Sequence, residues 1–248
     1  MKKEKIYIYG KHAVTEAIQN SPKSLKKVFL ADEKDGQLMS IIHKNNIPYG
    51  KFGSGDSAGD VDRNSNHQGV IGLIMIENLV QDYDSFIKDL EITKDTCLVV
   101  MDELQDPQNV GAIIRSSAAL GISGVLMPEH NQAPITGSVV KVSAGMAFRL
   151  PLVRIGNINN TLRDLQKRGF WVYGLDGEAS HSINVEPFDA PTVFVLGNEG
   201  AGIHEHTKKL CDIMLSIPMN KRCESMNVAS STAIALYAWS AKHKEALN

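Results

Sequence analysis

Short apolar runs alternate with stretches of helical period from one end of this chain to the other. That alternation restricts the fold more than any other feature. Runs at 6–9, 27–31 and 70–76 read as strands, with helices at 12–19 and 37–45 between them. The alternation restarts at residue 96. Strands are expected at 97–101, 124–127, 152–155, 170–175, 192–196 and 213–217, and helices at 109–120, 138–146, 159–168, 204–210 and 228–242. Strands separated by helices favour parallel pairing, and continuous apolar strands fit a sheet covered on both faces. The expected class is α/β. A polar, Gly- and Asp-rich stretch at 53–68 reads as a loop.

Charge divides the chain further. Residues 77–95 hold six acidic side chains against two basic ones and read as an acidic linker with a short helix at 83–90. Residues 1–76 hold 11 basic and 8 acidic side chains, and residues 96–248 hold 13 and 14. The net charge of −2 therefore conceals a basic N-terminal part. Two domains are expected, 1–76 and 96–248, joined by 77–95. The 43% hydrophobic content excludes a wholly disordered chain, and the balanced charge excludes a polycation.

Three cysteines, Cys97, Cys211 and Cys223, form no C-x-x-C and are odd in number. A disulfide framework is not expected, and a reducing compartment is. No apolar run approaches the roughly 18 residues a membrane span needs, and no signal-peptide core follows the N-terminal lysines. A cytoplasmic protein with no membrane partner is expected.

Several common chemistries lack their signatures. There is no G-x-G-x-x-G after a strand, no G-x-x-x-x-G-K-[ST] and no G-x-S-x-G. His204 and His206 are two apart in an expected helix, where side chains diverge, so no metal site is expected.

Three segments carry candidate chemistry. The first, 101–115, is a strand-to-helix junction in which Pro107 suits the first turn and Asp106 or Asn109 suits the cap. Arg115 lies beside the small residues Ser116, Ser117, Ala118 and Ala119. That leaves a guanidinium room to reach a phosphate, although a solvated helix arginine has the same spacing. The second, 194–203, ends a strand in Gly197-Asn198-Glu199-Gly200-Ala201-Gly202. Glycines there let the backbone approach a ligand at the carboxyl end of a sheet, and Glu199 is placed to accept hydrogen bonds. A plain turn is equally compatible. The third, 215–231, contains Ile217-Pro218-Met219 and then Ser225-Met226-Asn227-Val228 before a helix rich in small residues. Ser225 or Asn227 suits its cap.

In order and spacing these segments resemble the three motifs of the SpoU (TrmH) family of RNA ribose 2′-O-methyltransferases. The form D-P-x-N-x-G-A-x-x-R is matched by Asp106, Pro107, Asn109, Gly111, Ala112 and Arg115. The form L-G-x-E-x-x-G is matched by Leu196, Gly197, Glu199 and Gly202. The form I-P-M followed by S-L-N-V-S is matched by Ile217, Pro218, Met219, Ser225, Asn227 and Val228, with Met226 in place of Leu and Ala229 in place of the last Ser. Residues 141–145, Pro151 and Asn157 resemble the mid-domain segment. Tyr9–Val14 and Asn66–Val70 resemble the small substrate-recognition domain of two-domain members.

The resemblance implies a trefoil-knotted parallel-sheet (SPOUT) domain behind a small α/β RNA-recognition domain. It implies S-adenosylmethionine as cofactor, held by Gly197, Ile217 and Met226 with Asn227 nearby. It implies methyl transfer to a ribose 2′-hydroxyl, with a guanosine of 23S rRNA as acceptor and a homodimer formed through the C-terminal domain. Arg115 is implied as the group that deprotonates the hydroxyl or, equally, binds a phosphate and stabilises the alkoxide. Asn109, Glu199, Ser225 and Asn227 would position it. Methylation of tRNA, and a non-catalytic RNA-binding or ribosome-assembly role, are the alternatives.

Overall fold

The computed structural model describes residues 4–51, 67–198, 200 and 202–247. The expected loop at 53–68 lies outside them up to residue 66. The chain forms two compact units, one of residues 1–80 with 134–149, the other of 81–133 with 150–248.

The first unit is built on a four-stranded sheet. Its elements are β1 (Lys5–Tyr9), α1 (Lys11–Asn20), β2 (Leu25–Leu30), α2 (Gly36–Lys44), β3 (Tyr49–Lys51) and β4 (Val70–Met75). The strand order is β1-β4-β2-β3. Parallel pairing was the expectation, but β4 runs antiparallel to both β1 and β2, and only β2 and β3 are parallel. Every residue of β4 is buried, as a central strand requires. Gly72 lets that strand pass under its neighbours, because a Cβ there would come within 2.9 Å of Ile8. The three-residue edge strand β3 has no apolar alternation to announce it.

The second unit contains an eight-stranded sheet. Its strands are β5 (Val80–Asp82), β6 (Cys97–Met101), β7 (Gly124–Pro128), β8 (Leu152–Ile155), β9 (Trp171–Leu175), β10 (His181–Ser182), β11 (Thr192–Leu196) and β12 (Ile213–Ser216). The order is β10-β12-β9-β11-β6-β7-β8-β5. The pairings from β10 through to β8 are parallel, as expected of the class. β6, β7 and β11 are buried along their whole length, which is why their sequences are apolar without alternation.

Residues 77–95 are not a bare linker. They contain β5 at the sheet edge and the helix α3 (Tyr83–Asp89). α3 sends Phe86 and Ile87 into the core with Leu98, Leu126 and Val153. Gly124 makes space for Phe86, whose ring atom would sit 2.7 Å from a Cβ there.

Four further helices of this unit are α4 (Pro107–Ala119), α6 (Ile158–Lys167), α7 (Glu205–Lys208) and α8 (Val228–Ser240), while α5 (Gly137–Val142) belongs to the first unit. The expected helices at 138–146 and 204–210 are shorter than their patterns. α5 stops at Val142 because Ala144 and Gly145 turn left-handed, at φ 52° and 81°. α7 is a single turn that begins after His204. α8 packs on α4. β12 is separated from β6, the strand leading into α4, by β9 and β11. The segment 217–227 therefore crosses back over the carboxyl ends of the sheet, the path a knotted parallel-sheet domain requires.

Candidate active site

The crossing segment and the β11 loop enclose a cleft of about 650 Å³ in the second unit. This lies within the range of roughly 300–1,000 Å³ common for small-molecule sites. It sits beyond the carboxyl ends of β9, β11 and β12, where parallel sheets bind ligands. Gly197, Ile217, Ser225, Met226 and Asn227 all line it.

Glycine is required at 197 by sterics. A Cβ would lie 2.3 Å from the backbone of both Gly202 and Ile203. The close approach is a small antiparallel bridge, in which Asn198 and Gly202 exchange N–H···O bonds of 2.9 Å. Gly202 closes it at φ 70°, a conformation that favours glycine. Among the described residues of the loop, Gly197, Gly200 and Gly202 present peptide groups to the cleft without side chains. Leu175, Leu196, Ile217 and Met226 supply apolar walls. Apolar walls beside peptide donors and acceptors fit a flat heteroaromatic ring with a polar edge, the chemistry of an adenosine.

Asp106 and Asn227 are the caps among the expected pairs. Asp106 accepts from the Gln108 N–H at 2.8 Å, and Asn227 accepts from the Ala229 and Ser230 N–H groups at 2.9 and 3.2 Å. The Asn227 amide also donates to Asn109 Oδ1 at 2.9 Å. That bond ties the rim of the cleft to the first turn of α4 across 118 residues of sequence. Asn109 is buried.

Arg115 does not line the cleft. Six residues beyond Asn109, it lies on another face of α4, in line with Gln108, Gly111 and Ala112. It is exposed and has no ion-pair partner among the described residues. Its neighbours one turn back on that face are the small residues Gly111 and Ala112. Glu199 lies outside the described residues.

Two charged pairs at the site had no readable signal. Lys208 and Asp176 meet at 2.8 Å on the wall of the cleft. Each stabilises the other's charged form, so the carboxyl is held below its ordinary range and the ammonium above it. The ring of His204 meets the buried carboxylate of Asp102 at 3.0 Å, just beyond β6. The hydrogen bond to Asp102 raises the imidazole above its ordinary value. Among the described residues no group of three or more His, Cys, Asp or Glu side chains is arranged to hold a metal, and no helix is long and apolar enough to cross a membrane.

Comparison with known proteins places this geometry. Residues 96–237 match the model of the SpoU rRNA methylase family, and residues 7–78 match that of the RNA 2′-O ribose methyltransferase substrate-binding domain. The 23S rRNA (guanosine-2′-O-)-methyltransferase RlmB of Vibrio parahaemolyticus is 32% identical over 235 residues, covering 93% of this chain and 94% of its own. The protein of the same name from Xylella fastidiosa strain 9a5c is 33% identical over 243 residues, covering 96% of each. Among solved structures, the SpoU methyltransferase AviRb of Streptomyces viridochromogenes in complex with AdoMet superposes with a TM-score of 0.81 at 22% identity, covering 97% of this chain and 91% of that one. A TrmH/SpoU tRNA-modifying enzyme of A. aeolicus reaches 0.55 at 24% identity and covers 65% of this chain and 82% of that one. The chain belongs to the SpoU rRNA methylase family.

Proposed function

We propose that this chain transfers a methyl group from S-adenosylmethionine to the 2′-hydroxyl of a guanosine ribose in 23S rRNA. The observation that carries the reading is the Asn227–Asn109 bond. It fixes the cofactor cleft to the helix that bears Arg115, so donor and acceptor sites are built on one scaffold. When bound, S-adenosylmethionine supplies an electrophilic methyl group on a sulfonium. The methyl group would pass from sulfur to O2′, the sulfur leaving as a neutral thioether and the hydroxyl proton passing to solvent water.

Gly197, Ile217 and Met226 hold the cofactor through backbone and apolar contacts, and Ser225 and Asn227 lie on the same wall. The exposed Arg115 binds an RNA phosphate and stabilises the developing alkoxide. A guanidinium is a delocalised cation that holds its proton, so electrostatic stabilisation is the role its chemistry favours. Glu199 and Asn109 position the reacting groups. Alignment supplies most of the rate, because the sulfonium is already activated.

The first unit selects the RNA. Its match to a substrate-binding domain, and relatives of matching length that act on 23S rRNA, favour rRNA. The tRNA-modifying structure stops at two thirds of this chain. The enzyme works as a homodimer in the cytoplasm. Support for the dimer comes from α8, whose Ile234 and Tyr237 are 38% and 65% exposed.

Ribose-methylation mapping of 23S rRNA, with and without the gene, tests the function. One guanosine 2′-O-methyl mark should disappear, and the purified chain should restore it. Arg115→Ala should bind S-adenosylmethionine within about twofold of wild type and lose methylation by about 100-fold or more. Turnover retained in that variant removes Arg115 from the mechanism. Cofactor binding without any methyl transfer by the wild type would favour the assembly-factor reading.

A further inference from the structure

His204 ties the β11 loop to the start of the first motif. Its backbone N–H donates to Asp102 Oδ2 at 3.0 Å and its Nδ1 meets Asp102 Oδ1 at 3.0 Å. Its Nε2 lies 3.8 Å from Glu103 Oε2. The loop is tied at its other end too, where the Asn198 amide donates to the Glu103 carbonyl at 2.8 Å. Glu103 turns that carbonyl over by adopting φ 59°, a left-handed conformation rare for a side-chain-bearing residue. The Asn131 amide steadies its carboxylate at 3.2 Å. Asp102 is itself anchored, its N–H bonded to the Leu196 carbonyl at 2.8 Å.

Both ring nitrogens of His204 therefore face carboxylates, one of them 1% exposed. The Nδ1–H can donate to Asp102 in either protonation state, and protonation of the ring adds charge attraction to Asp102 and, at 3.8 Å, to Glu103. Cys211 also senses Asp102, but burial pushes its thiol up to about 12, so it stays neutral over the range in which the imidazole titrates. On its own helix Glu205 and His206 are exposed, and Lys208 is paired with Asp176 beyond β9. α6, packed on α7, presents the neutral Asn159, which accepts from Thr207 at 3.2 Å.

We propose that His204 is a positioning residue whose imidazolium clamps the cofactor loop to Asp102 and Glu103, so that S-adenosylmethionine affinity depends on its protonation. The inference rests on the reading that this loop holds the cofactor. The sign follows from the raised imidazole. The clamp is strongest at low pH and weakens as pH rises past the ordinary imidazole value of 6.5 and through the raised one, while the backbone and amide bonds remain.

Isothermal titration of the full chain with S-adenosylmethionine at about pH 6 and about pH 9 tests this. Wild type should bind several-fold more weakly at the higher pH. His204→Gln keeps an N–H toward Asp102 without titrating, and should flatten that dependence. His204→Ala should bind about tenfold more weakly at the lower pH. The cofactor's own ammonium titrates alike in all three proteins, so the difference between profiles is the readout. Variants with wild-type affinity and wild-type pH dependence would overturn the clamp. No binding by wild type at either pH would overturn the cofactor cleft as well. If a melting curve shows His204→Ala unfolded, the Gln profile decides alone.

Discussion

Asn227 uses both ends of one amide. Its oxygen caps α8 through two backbone N–H groups and its nitrogen reaches Asn109. No other common cap does both, because Asp lacks the donor and Ser is too short. The two roles separate by substitution. Asn227→Ser keeps a cap and should leave stability within about 0.5 kcal/mol of wild type, whereas Asn227→Ala should cost about 1 kcal/mol. Both lose the bond to Asn109, and both should lose methyl transfer by an order of magnitude or more, since about 1 Å of misplacement can cost 100-fold. Thermal melts and tritiated-methyl transfer read the two effects independently. Full activity in Asn227→Ser would leave the amide nitrogen without a role. The capping half of this was readable, because Asn before a small-residue helix is a recognisable start signal. The bond across 118 residues was not, because the sequence holds no record of which caps meet. The same applies to His204. Its spacing to His206 argued against a metal and named no other partner, and the partner is a carboxylate 102 residues away.

The break between α5 and Phe148 shows the limit of pattern at the scale of an element. Residues 138–146 carry a helical period, yet the helix ends at Val142. Ser143, Ala144 and Gly145 then fold against α1 within the first unit. His12 Nε2 meets the Ala144 carbonyl at 3.1 Å, and a Cβ at Gly145 would lie 2.8 Å from the Glu16 side chain. Ala144 adopts φ 52° in this turn, a conformation uncommon for a residue with a side chain. Gly145 is itself a local stop signal, but its contact with α1, more than 120 residues earlier, leaves no mark in the local pattern. The arrangement is locked by Arg149, which binds Glu16 through two bonds of 2.7 and 3.1 Å. Glu16 is almost fully buried, while Arg149 is half exposed. Arg149→Ala should therefore destabilise the chain by about 1–2 kcal/mol, less than a fully buried pair would, because solvent screens the guanidinium. Glu16→Gln combined with Arg149→Ala should cost less than the two single changes together, since the neutral amide needs no cation. Additive losses in a denaturant double-mutant cycle would mean that the pair is not coupled. By contrast, β6, β7 and β11 were readable in nearly their full extent, whereas the short strands β5 and β10 were not. Those three strands are buried on both faces, so their sequences are apolar throughout, while β5 and β10 are two or three partly exposed residues with no apolar run.

Over the whole molecule, the basic excess of residues 1–76 and the near-neutral remainder set how RNA should be held. The most direct test, deleting residues 1–76, is compromised by the fold. The first unit includes residues 134–149, and the deletion would strip α1 and β1 from that segment, including Glu16 from Arg149. Gly137 is pressed so close to the Tyr7 carbonyl that a Cβ there would lie 2.2 Å away, so this is a packed interior surface and not a hinge. Charge neutralisation on the intact chain avoids the problem. Lys23, Lys26 and Lys44 are exposed, and their side chains hold no part of the core. Each phosphate contact contributes about 0.7–0.9 to the slope of log affinity against log salt. Replacing all three lysines by Gln should lower the slope by about 1–2 and weaken binding of a 23S rRNA fragment at low salt. Cofactor affinity and turnover at saturating RNA should stay at wild-type values, because none of the three touches the cleft. Filter binding across a salt series, beside isothermal titration with S-adenosylmethionine, reads both. An unchanged slope would move the phosphate contacts to the second unit, where the exposed Arg115 is the first candidate. The recognition unit would then select RNA by shape and leave the electrostatic work to the catalytic one.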